Sequence, residues 1–556
     1  MDSSVAMVGM PQTSRQDSTG ARGNFVRLTI MPALRLTGVA IIAAASAGAM
    51  TVVGADSSAQ PPPPISLAVR SAPCPAEDPA CVAPAVPREF RGVWVATVNN
   101  LDWPSRPGLS TDSAKLEMTR LLDHAAAIGL NAIVFQVRPA GDAMYASKLE
   151  PWSEYLTGTQ GRPPAPAWDP LAYAIQEAHA RGLELHAWFN PYRAKDPSAK
   201  GPVAAGHFSR QYPAYAKRYG RYLWFDPGEP NVRRQTVRVV LDVVNRYDVD
   251  GIHLDDYFYP YPEQRNRRDI PFPDATSFAR YQRAGGSLGH DDWRRDNVNR
   301  LVDTLRTVIA KAKPWVKFGI SPFGIWKPGE PASVTGFDAF SRIYADARTW
   351  LTRGWVDYFV PQLYWGVEQE GQRFGELLRW WSAQNDSSRH IWAGIAGYKI
   401  GDQPGQWRSA EVLRQIDTTR AVPGSTGAVH FQMTTLLKDR DSVATALARG
   451  PYAQPALVPE SPWMGAARPR TPAIAIAADR RGDVLTIARR AGDDVRWWVV
   501  QAKTGNEWRV RVLDGALSET PLSALAPRGT VGPDIISLTP IGRTGVSGAP
   551  VAIRIR

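Results

Sequence analysis

From Arg88 onward, short apolar runs alternate with longer stretches in which apolar residues return every three or four positions. The runs read as strands: FRGVWVAT (90–97), NAIVFQV (131–137), LELHAWF (183–189), GIHLDDY (251–257), VKFGISPF (316–323), VDYFVPQLYW (356–365), HIWAGIAG (390–397) and GAVHFQMT (427–434). Between them DSAKLEMTRLLDHAAAIG (112–129), DPLAYAIQEAHARG (169–182) and NVRRQTVRVVLDVVNRY (231–247) carry the helical period. Several such stretches open on Asp or Ser and stop at Gly, as helix caps do. Eight alternations in about 360 residues predict an α/β chain folded as a (β/α)8 TIM barrel over residues 88–450. A doubly wound sheet shares the alternation, but no glycine-rich phosphate loop follows the first strand. The long strand-to-helix segments, 138–168, 190–229 and 258–290, fall on the C-terminal face of such a barrel, where barrel enzymes build their sites.

The flanks break the pattern. RLTGVAIIAAASAGAMTVVGA (35–55) joins a basic residue to a run of small and apolar residues ending in Val53-Gly54-Ala55, which reads as a secretory signal over 1–55, with Met31 an alternative start. An uncleaved run of this length would anchor the chain in a membrane, but its Ala and Gly content makes it weakly hydrophobic and favours cleavage. The protein is expected to be exported, to the periplasm or cell envelope. A Pro-rich stretch makes 56–87 a linker. Within it stand Cys74 and Cys81, either a disulfide closing a small loop in an oxidising compartment or two free thiols. Beyond the barrel, 451–466 reads as a second linker. DVLTIARR, VRWWVVQAK, WRVRVLDG and DIISLTPIGRTGVSGAP predict a small β-sandwich over 467–556. Its last stretch is similar to the end of a fibronectin type III domain, a module that would meet an envelope protein partner or cover the barrel.

Charge narrows the partners. Lys and Arg number 65 against 53 Asp and Glu, a net +12, which favours anionic surfaces: nucleic acid, phospholipid or the acidic polymers of a cell wall. Nucleic acid is excluded, because no binding motif is present and the basic residues are scattered through periodic segments.

Side chains alternate along a strand, so each face can be read separately. One face carries Gln136 and Arg138 in the second strand, and His186, Trp188 and Asn190 in the third. It carries His253 and Asp255 in the fourth, Gln362 and Tyr364 in the sixth, and His430 and Gln432 in the eighth. A lone buried His is usually a satisfied core group, but polar residues on five strands need partners and point to an active site at the barrel's top. Asp255 faces inward at a strand's C-terminal end, and Asp256 follows it. Two carboxylates this close raise one pKa and yield an acid and a base from one residue type, with Arg138 and Arg193 keeping the other ionised. Paired carboxylates beside aromatic platforms suit glycoside hydrolysis. Tyr145, Trp152, Trp188, Tyr192, Tyr257, Trp326 and Trp365 are the candidate platforms, while Trp103 and Tyr259 lie in the same segments.

EFRGVWVATVNNLDWPS (89–105), QVRPAGDAMYASKLEPWSEYLTG (136–158), HAWFNPYRA (186–194), DGIHLDDYFYP (250–260), FGISPFGIW (318–326) and VDYFVPQLYW (356–365) together resemble the glycoside hydrolase-like family 10, a group of exported bacterial barrel proteins. That resemblance covers about residues 88–450. It implies a glycosidase acting on peptidoglycan glycan strands lacking stem peptides, as divisome-associated members do, with no cofactor. HLDDY is also similar to the fourth-strand motif of the α-amylase superfamily: Asp255 takes the nucleophile's place, or orients or protonates where a substrate acetamide is itself the nucleophile, and His253 stands where that group has arginine. GISPFGIW lacks the acid glutamate expected in the fifth strand, so the resemblance leaves the general acid to Asp256, Asp142, Glu150 or Glu154. Asp142, Arg138, Asn190, Arg193, Gln362 and Tyr364 would position the sugar.

Two other classes compete. A glycan-binding scaffold would explain the missing acid. A metal-dependent hydrolase or deacetylase would need His186, His253 and His430 to converge, although no H-E-x-x-H or H-x-x-E-H spacing occurs. Serine hydrolase chemistry lacks a G-x-S-x-G elbow.

Overall fold

Eight parallel strands follow one another around a closed barrel: β1 (Phe90–Val95), β2 (Ala132–Arg138), β3 (Glu184–Phe189), β4 (Gly251–Leu254), β5 (Lys317–Ile320), β6 (Tyr358–Phe359), β7 (His390–Ile395) and β8 (Ser425–His430), which pairs back onto β1. This computed structural model describes residues 71–555 apart from Ala76, 480–481 and 527–531, so the stretch read as a secretory signal lies outside the described residues. Most strand positions are buried, because helices cover the outer face while side chains fill the lumen. The first helix, Thr111–Ile128, is capped by Ser110 and ended by Gly129 in the left-handed region (φ 89°). It lays Ala114, Met118, Leu121, Leu122 and Ala125 against the barrel. β6 is short because Pro361 has no N–H to continue the ladder; pairing resumes at Gln362, which bridges to Phe323 and Gly394.

The lumen has two unlike halves. β1, β7 and β8 supply an apolar side, with Phe90 stacked on Trp392 at 3.5 Å between ring centres and Trp94 and Val429 beside them. β3 to β6 supply a polar side. Lys317 Nζ lies 2.9 Å from Glu184 Oε1, and Glu184 Oε2 is 3.0 Å from His186 Nε2. His186 Nδ1 is 2.9 Å from Tyr358 Oη, which lies 3.2 Å from His253 Nδ1. Trp94 Nε1 donates to His253 Nε2 at 3.2 Å. An indole N–H only donates, so His253 carries its proton on Nδ1 and gives it to Tyr358, which donates to His186, which donates to Glu184. Two glycines admit these rings: a Cβ on Gly251 would lie 2.5 Å from His186, and one on Gly319 would lie 2.1 Å from Tyr358.

The eighth strand departs from expectation. Val429 belongs to the lumen cluster with Phe431 packed against it, whereas His430 meets Tyr452 Oη at 2.9 Å. His430 is therefore satisfied outside the lumen. The three-histidine convergence required for a metal hydrolase is not formed.

The C-terminal strands are β9 (Ala473–Asp479), β10 (Gly482–Ala488), β11 (Val495–Thr504), β12 (Glu507–Asp514), β13 (Glu519–Pro521), β14 (Ile535–Gly542) and β15 (Val551–Ile555). They form two antiparallel sheets, β9-β10-β13 and β15-β14-β11-β12, with Ile476, Leu485, Trp498, Val500 and Ile536 in a shared apolar core. Ser71–Pro73, in the stretch read as linker, adds an edge strand to β15, and a disulfide joins Cys74 to Cys81. Leu457 is buried and bonded to Pro87 and Glu89, so the second linker stretch runs across the barrel's lower end. There Arg496 Nε meets Asp250 Oδ1 at 2.9 Å and Arg543 Nη1 meets Asp248 Oδ1 at 2.6 Å, just before β4. The sandwich thus closes the end of the barrel opposite its long loops.

Candidate active site

Asp255 and Asp256 follow the last residue of β4 at the open end, only 3% and 4% exposed. Asp255 is held by donors from three directions. Trp188 Nε1 donates to Oδ2 at 3.0 Å, Asn190 Nδ2 donates to the same oxygen, and the Tyr257 N–H donates to Oδ1 at 3.2 Å. Asn190 is itself oriented. Gln136 Oε1 accepts the Thr97 and Val98 N–H groups, both at 2.9 Å, so Gln136 Nε2 faces Asn190 Oδ1 at 2.6 Å and turns the Asn190 amide toward Asp255. A relay of amides thus runs from the end of β1 to the carboxylate.

Asp256 accepts from the Tyr261 hydroxyl and from Gln362, whose Nε2 also donates to Ser321 O at 3.0 Å. Burial pushes both carboxyls up. Asp255 reaches about 7, with Arg193 pulling against burial and Asp256 adding to it; Asp256 rises against the pull of Tyr261 and Gln362. The pair titrates as a unit. The two carboxyls have unlike partners: Trp188 Nε1, Asn190 Nδ2 and the Tyr257 N–H can only donate, which suits an anion. A tyrosine hydroxyl can donate or accept, so Asp256 can keep a proton without losing Tyr261.

Half-buried aromatic residues wall the pair. One arc runs from Tyr257 through Tyr261 (5.5 Å between ring centres) and Phe337 (5.3 Å) to Phe323 (5.2 Å) and Trp365 (5.6 Å). A second joins Tyr364, Tyr398 and Phe431 at about 6 Å. Arg193 lies over the Tyr257 ring at 4.3 Å, its Nη1 donating to Pro139 O at 3.3 Å and its Nε without a hydrogen-bond partner.

The structure brings Asp255, Asp256, Trp188, Asn190, Arg193, Tyr257, Gln362, Tyr364 and Trp365 together. His253 lies one layer below, bonded to Ser321 Oγ at 3.0 Å and kept neutral by burial, and His186 lies deeper still. Other expected sugar contacts are spent on structure. Arg138 is forked onto Glu150 (2.8 Å to Oε2) and donates to Asn190 O at 2.6 Å, tying the ends of β2 and β3 together. Asp142, pushed up to about 6 by burial, accepts from Gln160 at 3.0 Å and from the Ala140 N–H at 3.1 Å. Glu154 accepts two loop N–H groups. Tyr145 and Tyr192 are fully buried, and Trp152 is half-buried in a backbone bridge with Ala143. Trp326 stacks on Trp380 at 5.9 Å, against a helix of the outer shell.

Tyr261, Phe323, Phe337, Tyr398 and Phe431 are site residues that strand reading missed. Their signal was faint: single aromatic residues beyond the strand ends, Phe337 well into its loop, where the period does not fix the path.

Residues 89–409 match the model of the Glycosyl hydrolase-like 10 family. Among curated proteins, Glycosyl hydrolase YngK of Bacillus subtilis (strain 168) is 40% identical over 410 residues, 72% of this chain and 79% of its own. Glycosyl hydrolase DigH of Escherichia coli (strain K12) is 34% identical over 387 residues, 64% of this chain and 86% of its own. Among solved structures, the PgaB (BpsB) glycoside hydrolase domain from Bordetella bronchiseptica aligns with a TM-score of 0.44 at 13% identity, over 65% of this chain and 98% of that one.

Proposed function

This chain belongs to the glycosyl hydrolase-like 10 family and is a glycoside hydrolase, and we propose that it is exported and cuts the amino-sugar backbone of peptidoglycan, in strands lacking stem peptides. The observation that carries this reading is the buried carboxyl pair at the barrel mouth, flanked by two half-exposed aromatic arcs on which sugar rings can stack. Cleavage places positive charge on the anomeric carbon and negative charge on the leaving oxygen. Asp255, whose ionised form is met by three donors, stabilises the first; Asp256 delivers its proton to the second. The net charge of +12 supports an anionic wall polymer as substrate, and the disulfide supports export to an oxidising compartment.

The test is digestion of purified peptidoglycan glycans without stem peptides, by wild type and Asp255→Asn, with soluble products identified by mass spectrometry. Wild type should release shortened oligosaccharides, and the variant should fold normally yet turn over at least about 100-fold more slowly. Glycan that co-sediments with wild type but is never shortened would overturn the substrate. A variant of near-normal rate would remove Asp255 from the mechanism.

A further inference from the structure

Three residues beyond Tyr261, the loop after β4 folds into a hairpin, Gln264–Arg265 against Arg268–Asp269, with Asn266 and Arg267 at its turn. At most about 10 Å of chain separates its base from the tyrosine that touches Asp256. One hydroxyl clamps both feet: Tyr219 Oη donates to Ile270 O at 2.9 Å and accepts from Glu263 N at 3.1 Å. Arg342 pairs with Asp269 on one side. On the other, Gly220, at the turn between Ala216–Tyr219 and Tyr222–Phe225, packs so tightly that a Cβ there would lie 2.6 Å from Glu263 Oε2. The hairpin is a seated part of the cleft's rim.

Its sequence works against its own stability. Arg265 and Arg268 stand directly opposite each other across the strands, a like-charge pairing that weakens a hairpin. Arg267 occupies a left-handed position (φ 61°) of a turn that favours Gly, Asn or Asp. All three arginines are exposed, and among the described residues none has an ion-pair partner. Exposed Arg218 and Arg221 flank them from the neighbouring turn, Arg221 only 3.6 Å from Glu263.

We propose that this arginine hairpin docks a carboxylate-bearing polysaccharide, holding the part of the strand that extends past the bond being cut. A guanidinium fork matches a carboxylate, and exposed arginines on a short turn tolerate variation in where each carboxylate falls. Continuity with the catalytic cleft assigns the anion to the polymer being cut. The inference rests on the glycan reading above.

The test uses the full chain carrying Arg265→Gln, Arg267→Gln and Arg268→Gln together, none of which touches the carboxyl pair. Kinetics are measured on a carboxylate-bearing amino-sugar oligosaccharide and on neutral chitin oligosaccharide of equal length. Binding of both is measured on an Asp255→Asn background at low and high salt. At about twofold for each exposed ion pair lost, KM for the anionic glycan should rise about 10-fold with kcat within about twofold, and the neutral glycan should not respond. Binding of the anionic glycan should weaken with salt only while the arginines are present. Equal effects on the two glycans, or none, would overturn the proposal. So would loss of binding to anionic phospholipid vesicles with glycan affinity unchanged. If wild type cuts neither glycan, the substrate reading fails while the binding measurement still decides the hairpin's role.

Discussion

Asp255 costs the fold stability once it ionises. Its carboxyl is raised from the ordinary 3.8 to about 7 by burial and by Asp256. At 1.36 kcal/mol for each tenfold, that rise amounts to about 4 kcal/mol. The sign follows from where protons bind. A raised carboxyl takes up its proton more readily folded than unfolded, so the folded state gains on acidification and loses as pH climbs from about 4 to about 7. Asp255→Asn has no charge to bury and escapes that loss. It carries a cost of its own: the Asn Oδ1 can face Trp188 and Asn190, but its amide then opposes the Tyr257 N–H, at about 1–3 kcal/mol. The variant should therefore be about 1–3 kcal/mol more stable than wild type at pH 8 and less stable at pH 4, with the two curves crossing in between. Urea unfolding followed by tryptophan fluorescence at pH 4, 6 and 8 measures the difference. A variant that is less stable at pH 8, or whose advantage is the same at pH 4, refutes the placement of a destabilising charge at Asp255.

Asn190→Ala removes one of three donors to that charge, worth about 1.5–3 kcal/mol, so kcat/KM at neutral pH should fall about 10–100-fold. The acidic limb of the pH–rate profile should move to higher pH, because the carboxylate is then less well held. Glu150→Gln should lower unfolding stability by about 3–5 kcal/mol by leaving Arg138 buried and unpaired, and Arg138→Met with Glu150→Leu should recover most of it in urea unfolding. A sugar-binding Arg138 would instead show as a KM change in a protein of normal stability.

The barrel was legible because its strands are buried on both faces, which leaves dense apolar runs at regular spacing. The place of Asp255 at the barrel mouth was legible because it ends such a run, at the C-terminal end of a strand. Polarity was a poorer guide to which face of a strand lines the lumen. His430 looked inward by type, yet Tyr452 satisfies it from outside, while apolar Val429 fills the lumen beside Phe90 and Trp392. Arg138 misled for the opposite reason: it is polar and near the mouth, but its partner Glu150 arrives from a loop whose path no periodicity reveals. The aromatic walls were hidden likewise, since Tyr261, Phe337 and Tyr398 are gathered by loop geometry.

The hydrogen-bond chain through the lumen has a meaning for the lineage as well as for the fold. Trp94, His253, Tyr358 and His186 donate in turn toward Glu184, which also accepts from Lys317, so the chain converges on one carboxylate, with Gly251 and Gly319 sized to the rings they admit. Changing any member alone strands a buried donor or acceptor, or drives a methyl group into a ring, so each first step away costs about 1–3 kcal/mol with nothing gained. Single changes along this axis are therefore penalised, whereas the outer helices and the loops of the mouth lie outside it and can vary without breaking it.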